Sequence, residues 1–137
     1  MSTDKSIFQF NGYCVKKSLL EFNTDNKKFD NNINIGIKPY GKVDNNEFVL
    51  TLDIVIDNKD KSININIIAE SVFKFGMDIS KDMLTDLFCS NAPAIVFPYI
   101  RAYISTLTTL SGIDTLLLPT LNLSALKDTL KNNIQGL

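Results

Sequence analysis

NAPAIVFPYIRAYISTLTTLSGIDTLLLPTLNLSAL, residues 91–126, holds three of the chain's four prolines and its clearest amphipathic helix. Asn91 is a residue type that caps helix starts, and Pro93 suits a first turn because its missing N–H would be unpaired there anyway. Pro98 removes a backbone donor and pushes Phe97 toward an extended conformation, which predicts a kink or a restart. From Pro98 onward, Ile100, Tyr103, Ile104 and Leu107 recur at helical spacing. Ser105, Thr106, Thr108 and Thr109 fill much of the remaining surface; small hydroxyl residues allow close approach of another helix and can bond back to their own carbonyls. Gly112 is a helix stop. Leu116, Leu117, Leu118, Leu121 and Leu123 then crowd around Pro119. Such a loop either pins the last helix to the core or lines a binding groove, since large apolar patches outside a core mark contact sites.

Upstream of Asn91 the pattern is sheet. Ile7 to Phe22 reads as a first strand, with Gly12 marking a bulge after which the alternation changes parity. Asn23 to Asn32 is a polar connection. Ile33, Ile35 and Ile37 alternate with Asn34, Gly36 and Lys38 in a second strand that is expected to stop at Pro39, before a turn over residues 40–46. Phe48, Leu50, Leu52, Ile54 and Ile56 share one face of a third strand. After the polar loop 57–61, Ile63, Ile65, Ile67, Ala69, Ser71, Phe73 and Phe75 keep period two in a fourth, and its other face, with Asn64, Asn66, Glu70 and Lys74, meets water. A short helix is predicted from Asp78 to Phe88, capped by Ser80, with Cys89 to Asn91 as a linker. A final helix from Asn122 or Ser124 places Leu126, Leu130 and Ile134 on one face. Strands followed by helices make an α+β domain: a four-stranded antiparallel sheet with helices packed on one face.

Composition narrows the function. At 137 residues and 45% hydrophobic content the chain is one domain, residues 1–137, with enough apolar mass for a core. A net charge of −1 excludes strong attraction to nucleic acid, and no apolar run is long enough to insert into a membrane. The N-terminus does not read as a secretory signal. Cys14 and Cys89 are expected to be small buried thiols in a reduced, cytoplasmic setting, and without histidine a metal site is not expected. No catalytic constellation stands out, and no cofactor is implied. An enzymatic alternative is a small acyl-transfer domain with Asp78, Asp82 or Asp86 as its carboxylate.

Two runs carry a resemblance. Asn91 to Arg101, with Phe97-Pro98-Tyr99 at its centre and Asn91 and Pro93 just upstream, resembles the segment that opens the long helix of the SecB protein-export chaperones. Leu116 to Leu123 resembles that family's crossover loop, although Leu123 stands where an aromatic is usual and Thr120 where a second proline is common. The resemblance covers nearly the whole chain. It implies a SecB-like fold, a homotetramer built as a dimer of dimers with sheets outside and long helices between, and unfolded client polypeptides as partners. The stripe Ile100, Tyr103, Ile104 and Leu107 then suits an oligomer interface, or equally the subunit's own core. The client-binding candidates are Ile35 and Ile37 on a strand, Leu116, Leu117, Leu118 and Leu121 on the crossover, and Leu126 and Leu130 on the last helix.

Burying one large apolar side chain is worth roughly 1.5–3 kcal/mol, so four or five per groove give on the order of 10 kcal/mol gross. Association and ordering remove several kcal/mol of that. Several grooves engaged by one long chain raise apparent affinity by about 10²–10⁴. The implied protein is an ATP-independent holdase. The resemblance ranks an export-specific chaperone coupled to the SecA motor second, because the acid positions of the family's outer sheet face are only partly kept (Glu21 matches; Lys17 and Asn66 do not) and the sequence ends at Leu137 without the motor-binding tail. A dedicated chaperone of a toxin–antitoxin system ranks third.

Overall fold

The computed structural model describes residues 8–23, 25, 28–76 and 78–137. In chain order its elements are β1 (Phe8–Phe22), β2 (Ile33–Asp44), β3 (Glu47–Asn58), β4 (Ile63–Phe75), α1 (Lys81–Asp86), a π-helical turn (Leu87–Asn91), α2 (Ala92–Leu110), α3 (Ser124–Asn132) and β5 (Ile134–Gln135). The fold is α+β as expected. One sheet has the order β1-β4-β3-β2-β5, antiparallel except that β5 runs parallel to β2. The fifth strand is an addition to the expected four. Ile7, the first residue of the expected opening strand, lies outside the described residues.

Period-two patterning builds the centre of the sheet. Phe48, Leu50, Leu52, Ile54 and Ile56 of β3, with Ile63, Ile65, Ile67, Ala69 and Phe73 of β4, are buried on the helix side. β1 carries the bulge expected at Gly12, where Asn11 is the extra residue and Gly12 takes φ +136°. A second register shift falls between Val15 and Lys17.

β2 does not stop at Pro39 but runs on to Asp44. The Pro39 carbonyl accepts from Asn133 Nδ2 at 3.1 Å, on the side away from β3, so the missing proline N–H removes no bond from the β2–β3 ladder. The turn shrinks to Asn45–Asn46, with Asn45 at φ +54°, a conformation asparagine tolerates.

The helical part is more continuous than its prolines suggest. Ser80 caps α1, its Oγ accepting from the Met83 N–H at 3.2 Å. No linker follows. Residues 87–91 form a π turn, closed by the Ala92 N–H on the Leu87 carbonyl, and α2 continues directly from it. Asn91 is therefore helical and makes no side-chain cap. Pro98 sits inside a helix of 19 residues, so the expected restart does not occur. Gly112, at φ +83°, ends the run as expected.

α2 packs on β1 and β4, and α3 packs on β2. Ile134 is not on α3: the helix ends at Asn132, and Ile134 pairs with Gly41 in β5. Cys89 is buried as expected, but Cys14 is exposed, because it lies opposite Glu70 on the sheet face away from the helices.

Candidate functional site

The crossover from α2 to α3 is held by hydroxyls. Thr108 is buried; its Oγ1 donates back to the Ile104 carbonyl (3.0 Å) and accepts from the Leu116 N–H (2.9 Å). Ser105 Oγ donates to the Leu116 carbonyl at 3.3 Å. With Leu116 pinned at both backbone groups, the extended chain beyond it alternates. Leu116 and Leu118 turn into the core, and Leu117 points out, 71% exposed. At the far end Asn122 Oδ1 accepts from the Ser124 N–H (3.1 Å) and hydroxyl (2.7 Å), which organises the start of α3.

The eight client candidates therefore separate. Leu116, Leu118 and Leu130 are buried within the subunit and offer a client no surface, a correction whose cause is the Thr108–Ser105 clamp for the first two and the packing of α3 for the third. Ile35, Ile37 and Leu121 are half-buried against the core margin, Leu126 is half-buried on α3, and Leu117 is exposed. Ile33, Phe29, Ile113 and Leu123, also half-buried against the core, join them as apolar surface not counted from sequence. Alternation could have added Ile33, which shares the parity of Ile35 and Ile37.

The interface candidates separate too. Ile100 and Ile104 are fully buried in the single subunit and belong to its core. Tyr103 and Leu107 are half-buried beside them; the Tyr103 hydroxyl donates to Ser18 Oγ at 2.7 Å and ties α2 to β1. Tyr99, 48% exposed, rests between the rings of Phe10 (5.4 Å) and Tyr13 (5.5 Å). Burial, with Tyr103 and Cys14 nearby, pushes the Tyr13 phenol above its usual range.

Sequence reading missed a second stripe on α2. Ile95, Tyr99, Ala102, Thr106 and Leu110 follow at spacings of four, three, four and four, all exposed, with Leu110 at 81%. They lie opposite Val96, Ile100, Ile104 and Thr108. A second pass over the same helix at the opposite phase would have found them.

The remaining surface offers little chemistry. Open cavities of about 450 and 540 Å³ lie at the β2–β3 turn, between Lys42, Glu47 and Lys74, and between α1 and α3, beside Lys81, Asp86 and Lys131. Both are lined mainly by polar and charged side chains of mixed sign. Asp78, Asp82 and Asp86 are exposed, and Asp86 meets Lys127 at 3.3 Å. Burial raises the Cys89 thiol, which keeps it protonated. Among the described residues no cluster of acids and cysteines is arranged to hold a metal ion, and no helix is long and apolar enough to cross a membrane.

Comparison with known proteins agrees with this architecture. The profile of the family described as preprotein translocase subunit SecB matches residues 14–132. An uncharacterized protein of Methanocaldococcus jannaschii, MJ0357, is 30% identical over 129 residues, covering 89% of this chain and 83% of its own length. The Mycobacterium tuberculosis SecB-like chaperone Rv1957, solved in complex with a ChAD peptide from the HigA1 antitoxin, superposes with a TM-score of 0.70 at 15% identity, over 84% of this chain and 90% of that one. A protein of unknown function from Streptococcus agalactiae gives 0.53 at 11% identity, over 82% and 97%. At such identities the two structures speak for the fold alone, whereas the profile match spans most of the chain. The sheet-and-long-helix subunit described here is thus a member of the SecB family, whose proteins are chaperones and not enzymes.

Proposed function

We propose that the protein is an ATP-independent holdase that keeps non-native polypeptides from aggregating and works as a homo-oligomer, with a tetramer of paired dimers as the expected assembly. The observation that carries this is apolar surface left over, in two sets of residues, on a subunit whose core is already full. One set is Leu117 and Leu121 of the crossover, Leu126 of α3, and Ile35 and Ile37 of β2, the strand on which α3 packs. The other is the outer stripe of α2.

The two sets suit different partners. The α2 stripe is regularly spaced, with Ala102 and Thr106 set between larger side chains, which fits a rigid copy of itself. The crossover side is irregular and mixes half-buried isoleucine and leucine, which fits an extended chain of variable sequence. Each large side chain covered there contributes roughly 1.5–3 kcal/mol before ordering costs. One subunit is then a weak binder, and several on one assembly hold a long client through effective concentration.

The test is suppression of light scattering by a chemically unfolded protein, without nucleotide. Leu117→Asp with Leu121→Asp is expected to lose protection at unchanged oligomer mass. Protection equal to the parent's sinks the assignment.

The complex of the M. tuberculosis neighbour with an antitoxin peptide favours a second reading, a dedicated antitoxin chaperone. A toxin–antitoxin pair beside the coding sequence would support it, and a pull-down with SecA would test the export role.

A further inference from the structure

The edge of β2 that faces away from β3 is divided between an open half and a closed half. The Pro39 carbonyl accepts from Asn133 Nδ2, and the Gly41 N–H donates to the Asn133 carbonyl, each at 3.1 Å, so the backbone groups of these residues point outward. The β2–β3 register runs from Ile33 to Asp44 without a shift, so Ile35 and Ile37 point their N–H and C=O groups the same way. Among the described residues no strand pairs with them. Further along, β5 closes the edge at Gly41 and Lys42.

β5 is a two-residue strand seated by two glycines. A Cβ on Gly41 would stand 2.7 Å from the Phe48 ring and 3.0 Å from the Ile134 side chain. Gly136 has φ +84°, and a Cβ there would stand 2.2 Å from the Val43 carbonyl oxygen. Ile134 therefore lodges over Gly41 as the side chain of an extended segment entering from the β2 edge. That is the geometry an extended client would need.

We propose that β5 is a displaceable stand-in for client: an extended segment of a non-native polypeptide pairs with β2 at Ile35 and Ile37 and takes the place of β5 on Gly41 and Lys42. The proposal rests on the holdase reading and specifies its binding mode. Strand addition draws affinity from main-chain bonds, which every client can make, and leaves side chains to the apolar surface beside it. With β5 seated, the unpaired edge spans Ile35 to Ile37, roughly 10 Å, because the Ile33 N–H already donates to the Asn31 carbonyl at 3.0 Å. With β5 displaced the edge extends to Lys42, more than twice that, past Pro39, which offers a client only its carbonyl. The exchange replaces each β5 bond by an equivalent one, so its net cost is small.

The test uses Lys42→Cys with Gln135→Cys, register partners on β2 and β5, in a Cys14→Ser background. The probe is a soluble decapeptide of alternating leucine and threonine. Oxidation locks β5 in place, and the locked protein is expected to bind at least about 10-fold more weakly than the reduced one, the worth of one or two main-chain bonds, with recovery on adding reductant. Gly136→Ala acts in the opposite sense: it unseats β5, speeds exchange of the Gly41 amide and is expected to tighten binding about 3- to 10-fold. Equal binding by locked and reduced forms, or Gly136→Ala binding no tighter than the parent, overturns the stand-in role while leaving the holdase reading in place. No binding by the parent protein overturns both.

Discussion

Thr108 shows how one hydroxyl decides which leucines face water. It satisfies the Leu116 N–H inside the core and fixes the parity of the residues that follow. Thr108→Val keeps the shape and removes the acceptor, leaving a buried donor unpaired. It is expected to cost about 1–3 kcal/mol in denaturant unfolding and to loosen the crossover. Ile104→Ala separates core from interface: it is expected to cost roughly 2–5 kcal/mol at unchanged oligomer mass, because Ile104 is already fully buried in one subunit. At this scale the sequence was half legible. The apolar identity of residues 116–118 is plain, but which of three consecutive leucines turns outward depends on a bond from a helix eight residues earlier. Cys14 misled for another reason. Its expected burial followed the residue type, whereas the parity change at Gly12 already turns it to the Glu70 face.

Among the elements, β3 and β4 were readable almost to the residue, because a strand with one buried face writes its period directly into the chain. Their connecting turn adds a pH dependence. Hydrogen bonds from Lys61, then Asn34, hold the Asp57 carboxyl below its usual range, and bonds from Ser62 do the same for Asp60. Both groups have a folded pKa below the unfolded one. The stability they contribute is present above the ordinary carboxylate range and is lost as pH falls through the lowered values. The melting temperature of Asp57→Asn with Asp60→Asn is therefore expected to fall less steeply than the parent's between neutral pH and the acid limb. Pro39, Ile134 and the π turn were not readable. Pro39 is tolerated because its nitrogen faces the sheet edge, Ile134 is captured by a glycine on a strand far away in sequence, and a π turn has no side-chain signature.

For the whole molecule, the fold class and the family were both carried by the order of strands, long helix and crossover. The position of the proposed assembly surface was not. Sequence periodicity shows that α2 is apolar on a face, yet it takes the sheet to show which face is spent on the core and which is left. Tyr99→Lys with Leu110→Lys places charge on the outer stripe without touching Ile100 or Ile104. These changes are expected to reduce the mass seen by light scattering to that of a smaller species while circular dichroism stays unchanged. An unaltered mass would move the interface elsewhere.

The π turn at residues 87–91 sets a phase. Its extra residue rotates α1 by roughly 100° relative to where an unbroken α-helix would carry it. In the protein as it stands, Leu84 and Leu87 meet the core while the α2 stripe keeps its own alignment. Deleting one residue there would yield a smoother rod and a worse protein, since Leu84 and Leu87 would swing away from the core they meet. The irregular turn works as a gear tooth between two helices that could not both mesh with one core if they shared a single screw.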